Sequence, residues 1–251
     1  MTKQHGLIKL EGTIEDISFY KRNGTYFARR KGGVSGNRIA RDPSYARTRE
    51  NNSEFGRAGK ASKLIRQSLG PLLQPYNTRN LHTRLVTLLL GIIKTDNINA
   101  RGQRTIQNGE LGFLQGFEFN EDCPLGTSIY VAYGTSIDRT TGILTVQIPE
   151  FNPISDLVSP SGATHFQLVM AGMAPNFDNL SSEVQSTRSA FLPLTNSIAA
   201  AQTLTVTLTA INDFPLVQIL GIEFFQEVNG QYYPLNNFSF NALKMIGVSS
   251  E

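Results

Sequence analysis

The sequence predicts a mainly β protein with a small α part: a β-hairpin, an α-helical pair, and then a C-terminal antiparallel β-sandwich. Three observations lead there. Asn23-Gly24 separates KR from TYFARR, the signature of a two-residue hairpin turn. Between residues 54 and 94 apolar side chains recur at three- and four-residue spacing, the period of a helix face. Beyond residue 104, apolar or alternating runs are separated by turn signals such as Pro124-Leu125-Gly126, Thr140-Thr141-Gly142 and Asn229-Gly230.

The hairpin SFYKRNGTYFARR interleaves Phe19, Tyr20, Tyr26 and Phe27 with Lys21, Arg22, Arg29 and Arg30. Rings among cations suit a surface that stacks on bases and neutralises phosphates. The same pattern arises in a half-buried hairpin whose aromatic face packs on a core. Lys31 to Ala40, KGGVSGNRIA, is glycine-rich and basic but lacks the Gly-Lys-Ser/Thr end of a phosphate loop, and reads as a connector or extended arm.

The first helix is expected to start at Asn51, Asn52 and Ser53, all good N-caps, with Glu54 at its positive end. Phe55, Ala58, Ser62, Ile65 and Leu69 line one face, and Gly70-Pro71 supplies a stop. Gly56, Ala58, Gly59, Ala61 and Ser62 leave its first turns with little bulk. Each glycine disfavours a helix by roughly 1 kcal/mol relative to alanine, so another backbone is expected close by. The second helix, Thr78 to Lys94, presents Leu81, Leu85, Leu88, Leu89 and Ile92 on its apolar face and should pair antiparallel with the first.

Asp96 to Gly109 is a polar, turn-rich linker, which predicts two domains: a basic region over 1–104 and an acidic sandwich over 105–251. Strand candidates are Phe113–Phe119, Ser128–Tyr133, Leu144–Ile148, His165–Ala171, Ser189–Leu192, Leu204–Ile211, Val217–Val228, Tyr232–Pro234 and Phe238–Ile246. TLTVTLTA alternates strictly, with Leu204, Val206 and Leu208 on one face. Strands at this spacing suit an Ig-like sandwich, with long loops over 149–163 and 174–187.

Charge is segregated along the chain. Up to Arg104 there are 20 Lys plus Arg against 7 Asp plus Glu, net +13; beyond it 3 face 13, net −10, within an overall +3. Such asymmetry points to a partner. A hydrophobic share of 40% supplies ample core, and a charged share of 17% excludes a disordered or coiled-coil chain. The segment MTKQHGLIKLEG has no signal-peptide core, and the apolar run Leu85 to Ile93 falls short of the roughly 18 residues that span a bilayer. A soluble, cytoplasmic protein without a membrane span is expected.

Catalytic chemistry has no constellation to rest on. Cys123 is the sole cysteine, His5, His82 and His165 are far apart in sequence, and G-x-S-x-G is absent. Glu118, Glu121 and Asp122 could do acid–base work or hold calcium, but read better as solvated acids. The expectation is a protein that is not an enzyme, with no cofactor, metal or small-molecule substrate. It would self-assemble into a homo-oligomer or filament, with Arg22, Arg29, Arg30, Arg47, Arg49, Arg57, Lys60 and Arg66 as contact cations. These would meet a neighbour's acids, Glu118, Glu121, Asp122 and Glu150. The alternative is a nucleic-acid-binding protein in which the same cations, with Tyr20 and Tyr26, contact phosphates and bases.

Phe19-Tyr20 before the Asn-Gly turn, Thr48-Arg49-Glu50, and Ser53-Glu54-Phe55-Gly56-Arg57 together resemble a family of uncharacterised Bacteroidota proteins. The resemblance covers roughly residues 6–70. It implies a basic N-terminal part, a β-rich C-terminal part and an intracellular bacterial location, and it brings no catalytic residues.

Overall fold

Asn23 and Gly24 both take left-handed backbone angles, φ 48° and 78°, and close the expected hairpin. The computed structural model describes residues 2–30, 32–209, 214–235 and 240–250. It divides into two compact units, Met1–Glu50 and Asn51–Glu251.

In the first unit, β1 (Thr2–Lys3), β2 (Gly12–Ile14), β3 (Ile17–Arg22) and β4 (Thr25–Arg30) form an antiparallel sheet in the order β1-β4-β3-β2. A short helix, α1 (Gly36–Arg41), replaces part of the expected connector. Ser35 caps it by accepting from the Arg38 amide at 3.3 Å. Asp42 then caps a 3-10 turn at Pro43–Tyr45, accepting from the Ser44 amide and hydroxyl at 3.0 and 2.6 Å. The Ser44 bonds, helped by Arg38, hold the Asp42 carboxyl below its ordinary range.

That turn runs straight into α2 (Ala46–Ser68), so the helix begins ahead of the predicted caps. Asn51, Asn52 and Ser53 are tolerated inside it because all three face solvent. Of the expected face, Ala58, Ser62, Ile65 and Leu69 are buried, and only Phe55 departs from it. Glu54, Ala58, Ala61, Ser62, Leu64 and Ile65 are buried, whereas Phe55 is 58% exposed. A Cβ added to Gly56 or Gly59 would meet nothing, so the expected close backbone does not lie at these glycines.

In the second unit, α3 (Gly70–Leu73) leads to α4 (Leu81–Thr95). After a 3-10 turn at Leu111–Leu114 come α5 (Leu125–Ser128), β5 (Gly134–Asp138), β6 (Ile143–Ile148) and α6 (Pro153–Asp156). The remaining strands are β7 (His165–Asn176), β8 (Ser181–Arg188), β9 (Leu192–Pro193), β10 (Gln202–Thr207), β11 (Leu216–Val228), β12 (Gln231–Pro234) and β13 (Ala242–Ser249). A three-stranded sheet has the order β10-β6-β5. A curled six-stranded sheet runs β12-β11-β7-β8, with β13 also on β11 and β9 also on β7. All pairings are antiparallel, and strand residues outnumber helical ones.

Alternation along the central strands sorts two cores. Phe166, Leu168, Met170, Leu220, Ile222 and Phe224 meet Leu144, Val146, Leu204 and Val206 of the smaller sheet, the sandwich packing that was expected. Val169, Ala171, Met173, Val217 and Ile219 meet Ala58, Ile65, Leu85, Leu89 and Ile92 of the helix pair. With both faces covered, β7 and β11 read as nearly continuous apolar runs rather than alternating ones. Residues 51–104 thus share a core with the sheet, and the division falls at residue 50 rather than at the 96–109 linker.

Three local expectations change. Phe113–Phe119 is a 3-10 turn followed by an extended run bonded to β13, with Phe119 N on Leu243 O at 2.8 Å. Ser128–Tyr133 contributes only the single bridge Ile129↔Leu157, and 174–187, expected as a loop, is the β7–β8 hairpin. The ends at Ile211 and Phe238 of two predicted strands lie outside the described residues.

Candidate interaction surface

The first unit contains no buried side chain among its described residues. Paired residues share a face and successive residues alternate, so the register defines two surfaces. One carries Thr2, Gly12, Ile14, Ile17, Phe19 and Ala28, flanked by Lys21, Tyr26 and Arg30. The other carries Lys3, Ser18, Tyr20, Arg22, Phe27 and Arg29.

On the second face the Tyr20 and Phe27 rings stack with centroids 5.7 Å apart, and the Arg29 guanidinium lies 5.6 Å from the Tyr20 ring centroid. On the first, Lys21 Nζ lies 5.1 Å from the Tyr26 ring centroid. The predicted aromatic residues are therefore divided: Tyr20 and Phe27 on one side, Phe19 and Tyr26 on the other. Ile14 and Ile17 are 59% and 41% exposed. Gln4 closes the base of the following loop, donating from Nε2 to Leu10 O and accepting from Leu10 N at 2.9 Å. Leu7 and Ile8 project from that loop, 104% and 79% exposed. Ile14 and Ile17 are legible in the sequence as part of a β-rich run, but the exposure of all four is not, because scattered apolar residues in a basic segment carry no period.

The predicted cations have diverse roles. Arg30 pairs with Asp16 at 2.6 Å, both exposed, and Arg47 pairs with the half-buried Glu50 at 2.9 Å. Arg49 donates to the carbonyls of Ile39 and Asp42 at 2.7 and 2.9 Å, bracing the end of α1. Arg57 donates to the carbonyls of Gly102 and Arg104 at 2.7 and 3.1 Å, tying α2 to the loop after α4. Lys60 is exposed beside Arg57 in a cleft that Phe177 and Leu180 also line. Arg66 lines an open cavity of about 440 Å³ with Gln74, Thr78, Asn80 and His82, and its buried Nε has no hydrogen-bond partner among the described residues.

Among the acids, Glu118 accepts from Lys244 at 3.2 Å and from the Leu125 amide at 3.1 Å. Burial nevertheless raises its pKa above the ordinary carboxylate value. Glu121 pairs with Arg84 at 3.4 Å, and Asp122 accepts from Asn77 Nδ2 at 2.6 Å. Glu150 is exposed and, among the described residues, makes no hydrogen bond or ion pair. Three of the four acids are thus engaged within their own unit.

Other reactive side chains are dispersed. Cys123 Sγ lies 3.0 Å from Ser128 Oγ in the core, with its thiol pKa raised by burial. His82 Nδ1 is 3.1 Å from Ser62 Oγ, and His165 Nε2 is 3.7 Å from Glu227. Among the described residues no group of three or more His, Cys, Asp or Glu could hold a metal ion, and no helix is long and apolar enough to cross a membrane. Comparisons with protein-family models, curated proteins and solved structures return no match.

Proposed function

We propose that the chain is a non-enzymatic structural protein that assembles with copies of itself, its basic N-terminal unit docking on the acidic second unit of a neighbour. The observation that carries this reading is a sheet without a core. Residues 2–50 bury no described side chain, yet expose Leu7, Ile8, Ile14 and Ile17. A small sheet is stabilised by covering an apolar face, at roughly 25 cal/mol per Å² of apolar surface. A neighbouring copy would provide that cover.

Charge supports the same pairing. Met1–Glu50 holds 11 Lys plus Arg and 5 Asp plus Glu, net +6, while Asn51–Glu251 holds 12 and 15, net −3. Opposite net charges favour head-to-tail contact, and heterologous contacts close into rings or continue as filaments. The test is light scattering and negative-stain imaging of nuclease-treated protein across a salt series. Particles well above the 27.7 kDa monomer, dissociating as salt rises, are expected. A monodisperse monomer at every salt concentration overturns the reading.

A second reading rests on the other face of the sheet, where Lys3, Arg22 and Arg29 surround the Tyr20–Phe27 stack. That arrangement suits single-stranded nucleic acid, with rings for bases and cations for phosphates. It calls for binding of an oligonucleotide that weakens steeply with salt and is reduced in Phe27→Ala.

A further inference from the structure

We infer that the acceptor for the N-terminal sheet is a loop platform on the second unit of a neighbouring copy, formed by Tyr130, Ile154, Val158 and Ile198 and rimmed by Glu150 and Asp156. The inference rests on the self-assembly reading and gives it a location.

These four apolar residues are 64%, 55%, 40% and 62% exposed. They belong to three segments bonded side by side. The Tyr130 amide donates to Asp156 O at 2.9 Å and the Val158 amide to Ser128 O at 3.0 Å, on either side of the bridge Ile129↔Leu157. Phe151 and Ala199 exchange backbone bonds at 3.2 and 2.8 Å, and Asn152 Nδ2 donates to Asn196 Oδ1 at 2.8 Å. Ile129, Leu157 and Phe151 are buried in the sandwich core. Their neighbours Tyr130 and Val158 therefore face the other way, into solvent, as does Ile198 next to Ala199, the bridge partner of Phe151. Ile154 joins them from α6, where Asn152 Oδ1 accepts from its amide at 3.0 Å.

Loops usually resist burial because their backbone groups need water. Here the amides of Tyr130, Ile154 and Val158 are already bonded, so apolar cover strands few donors. The apolar side of the N-terminal sheet, with Ile14, Ile17 and Phe19, is the matching surface. Its charges also match: on that side Arg30 is paired across from Ile17 and Lys21 lies beyond Phe19. On the platform, Asp156 lies between Ile154 and Val158, and Glu150 is the one predicted acceptor acid without an internal partner among the described residues. A second copy is the occupant because each chain carries both halves of this match, with opposite net charge on the units that bear them.

The experiment uses full-length chains. Ile17→Cys and Ile154→Cys variants carrying different tags are mixed under mild oxidation, with the buried Cys123 left in place. The two variants are expected to crosslink to each other faster than either does to itself. In parallel, the Ile154→Asp/Ile198→Asp double variant should keep the wild-type unfolding transition and assemble only at about tenfold higher concentration. Crosslinking that shows no preference for the mixed pair, or a double variant that assembles like wild type, overturns the platform while leaving self-assembly standing. A wild-type chain that stays monomeric overturns both.

Discussion

At the scale of single residues, Glu54 illustrates how a position changes meaning. In sequence it is an acid at a helix start; in the structure it is a buried anchor inside α2. Arg104 binds it in a two-pronged fork, Nε to Oε1 at 2.7 Å and Nη2 to Oε2 at 2.9 Å, and the Gly102 amide donates to Oε1 at 2.8 Å. Burial pushes its pKa up, but the Arg104 and Gly102 bonds outweigh burial and leave it below the ordinary value. A carboxyl depressed by folding contributes stability above its unfolded pKa and loses it as pH falls through the folded one. Glu54→Gln should therefore cost about 2 kcal/mol near pH 7, because it removes the charge partner of Arg104. Urea unfolding should show that deficit shrinking as pH falls below the carboxylate range. Asp96 accepts from the amides of Ile98, Asn99 and Thr105, its pKa is likewise depressed, and it would retain part of the acid response in the variant.

Among elements, the glycines separate open space from close packing. A Cβ at Gly59 would meet nothing within 4 Å, and the residue sits inside α2. Gly59→Ala should raise the thermal midpoint, stabilising by about 0.5–1 kcal/mol. Gly221 in β11 is the opposite case. A Cβ there would lie 2.6 Å from the Ala242 carbonyl oxygen and 2.9 Å from the Tyr76 hydroxyl. The carbonyl belongs to the paired strand β13, and the hydroxyl is held by its 3.0 Å bond to the buried Glu223. Gly221→Ala should destabilise by about 1–3 kcal/mol, read by the same melting experiment. The element types were legible where local chemistry is strong, at the Asn23-Gly24 turn, the apolar periodicity of α4 and the alternation of TLTVT in β10. The β7–β8 hairpin was not, because SSEVQSTR on a sheet edge is polar enough to resemble a loop. Nor was the early start of α2, which depends on Asp42 seeding a turn that has no apolar pattern.

For the molecule as a whole, the +13/−10 split along the chain is reduced when it is counted by folded unit, to +6 and −3. The helix pair and its cations share a unit with the acids, and Arg84–Glu121 and Arg104–Glu54 pair inside it. Charge-reversal variants should therefore fall into two kinds. Arg22→Glu changes an exposed side chain at the end of β3 and should weaken assembly or nucleic-acid binding without moving the unfolding transition. Arg57→Glu breaks bonds to the Gly102 and Arg104 carbonyls and should lower the unfolding midpoint. Light scattering and thermal unfolding on the same pair of variants distinguish the two. Equal loss of folding stability in both would place Arg22 in the fold rather than on a contact surface.

From its sequence alone this protein is mainly β, with antiparallel strands, two helices and a basic N-terminal segment. Those properties follow from residue period, turn chemistry and composition, which act over a few positions. Tertiary structure decided that Glu54 rather than Phe55 is buried at the start of the helix face, and which acids are engaged internally. It also decided that the helices share a core with the sheet, and that Ile14, Ile17, Tyr130, Ile154 and Ile198 stay uncovered. Each of these depends on surfaces brought together from distant parts of the chain, and local spacing carries no record of that meeting.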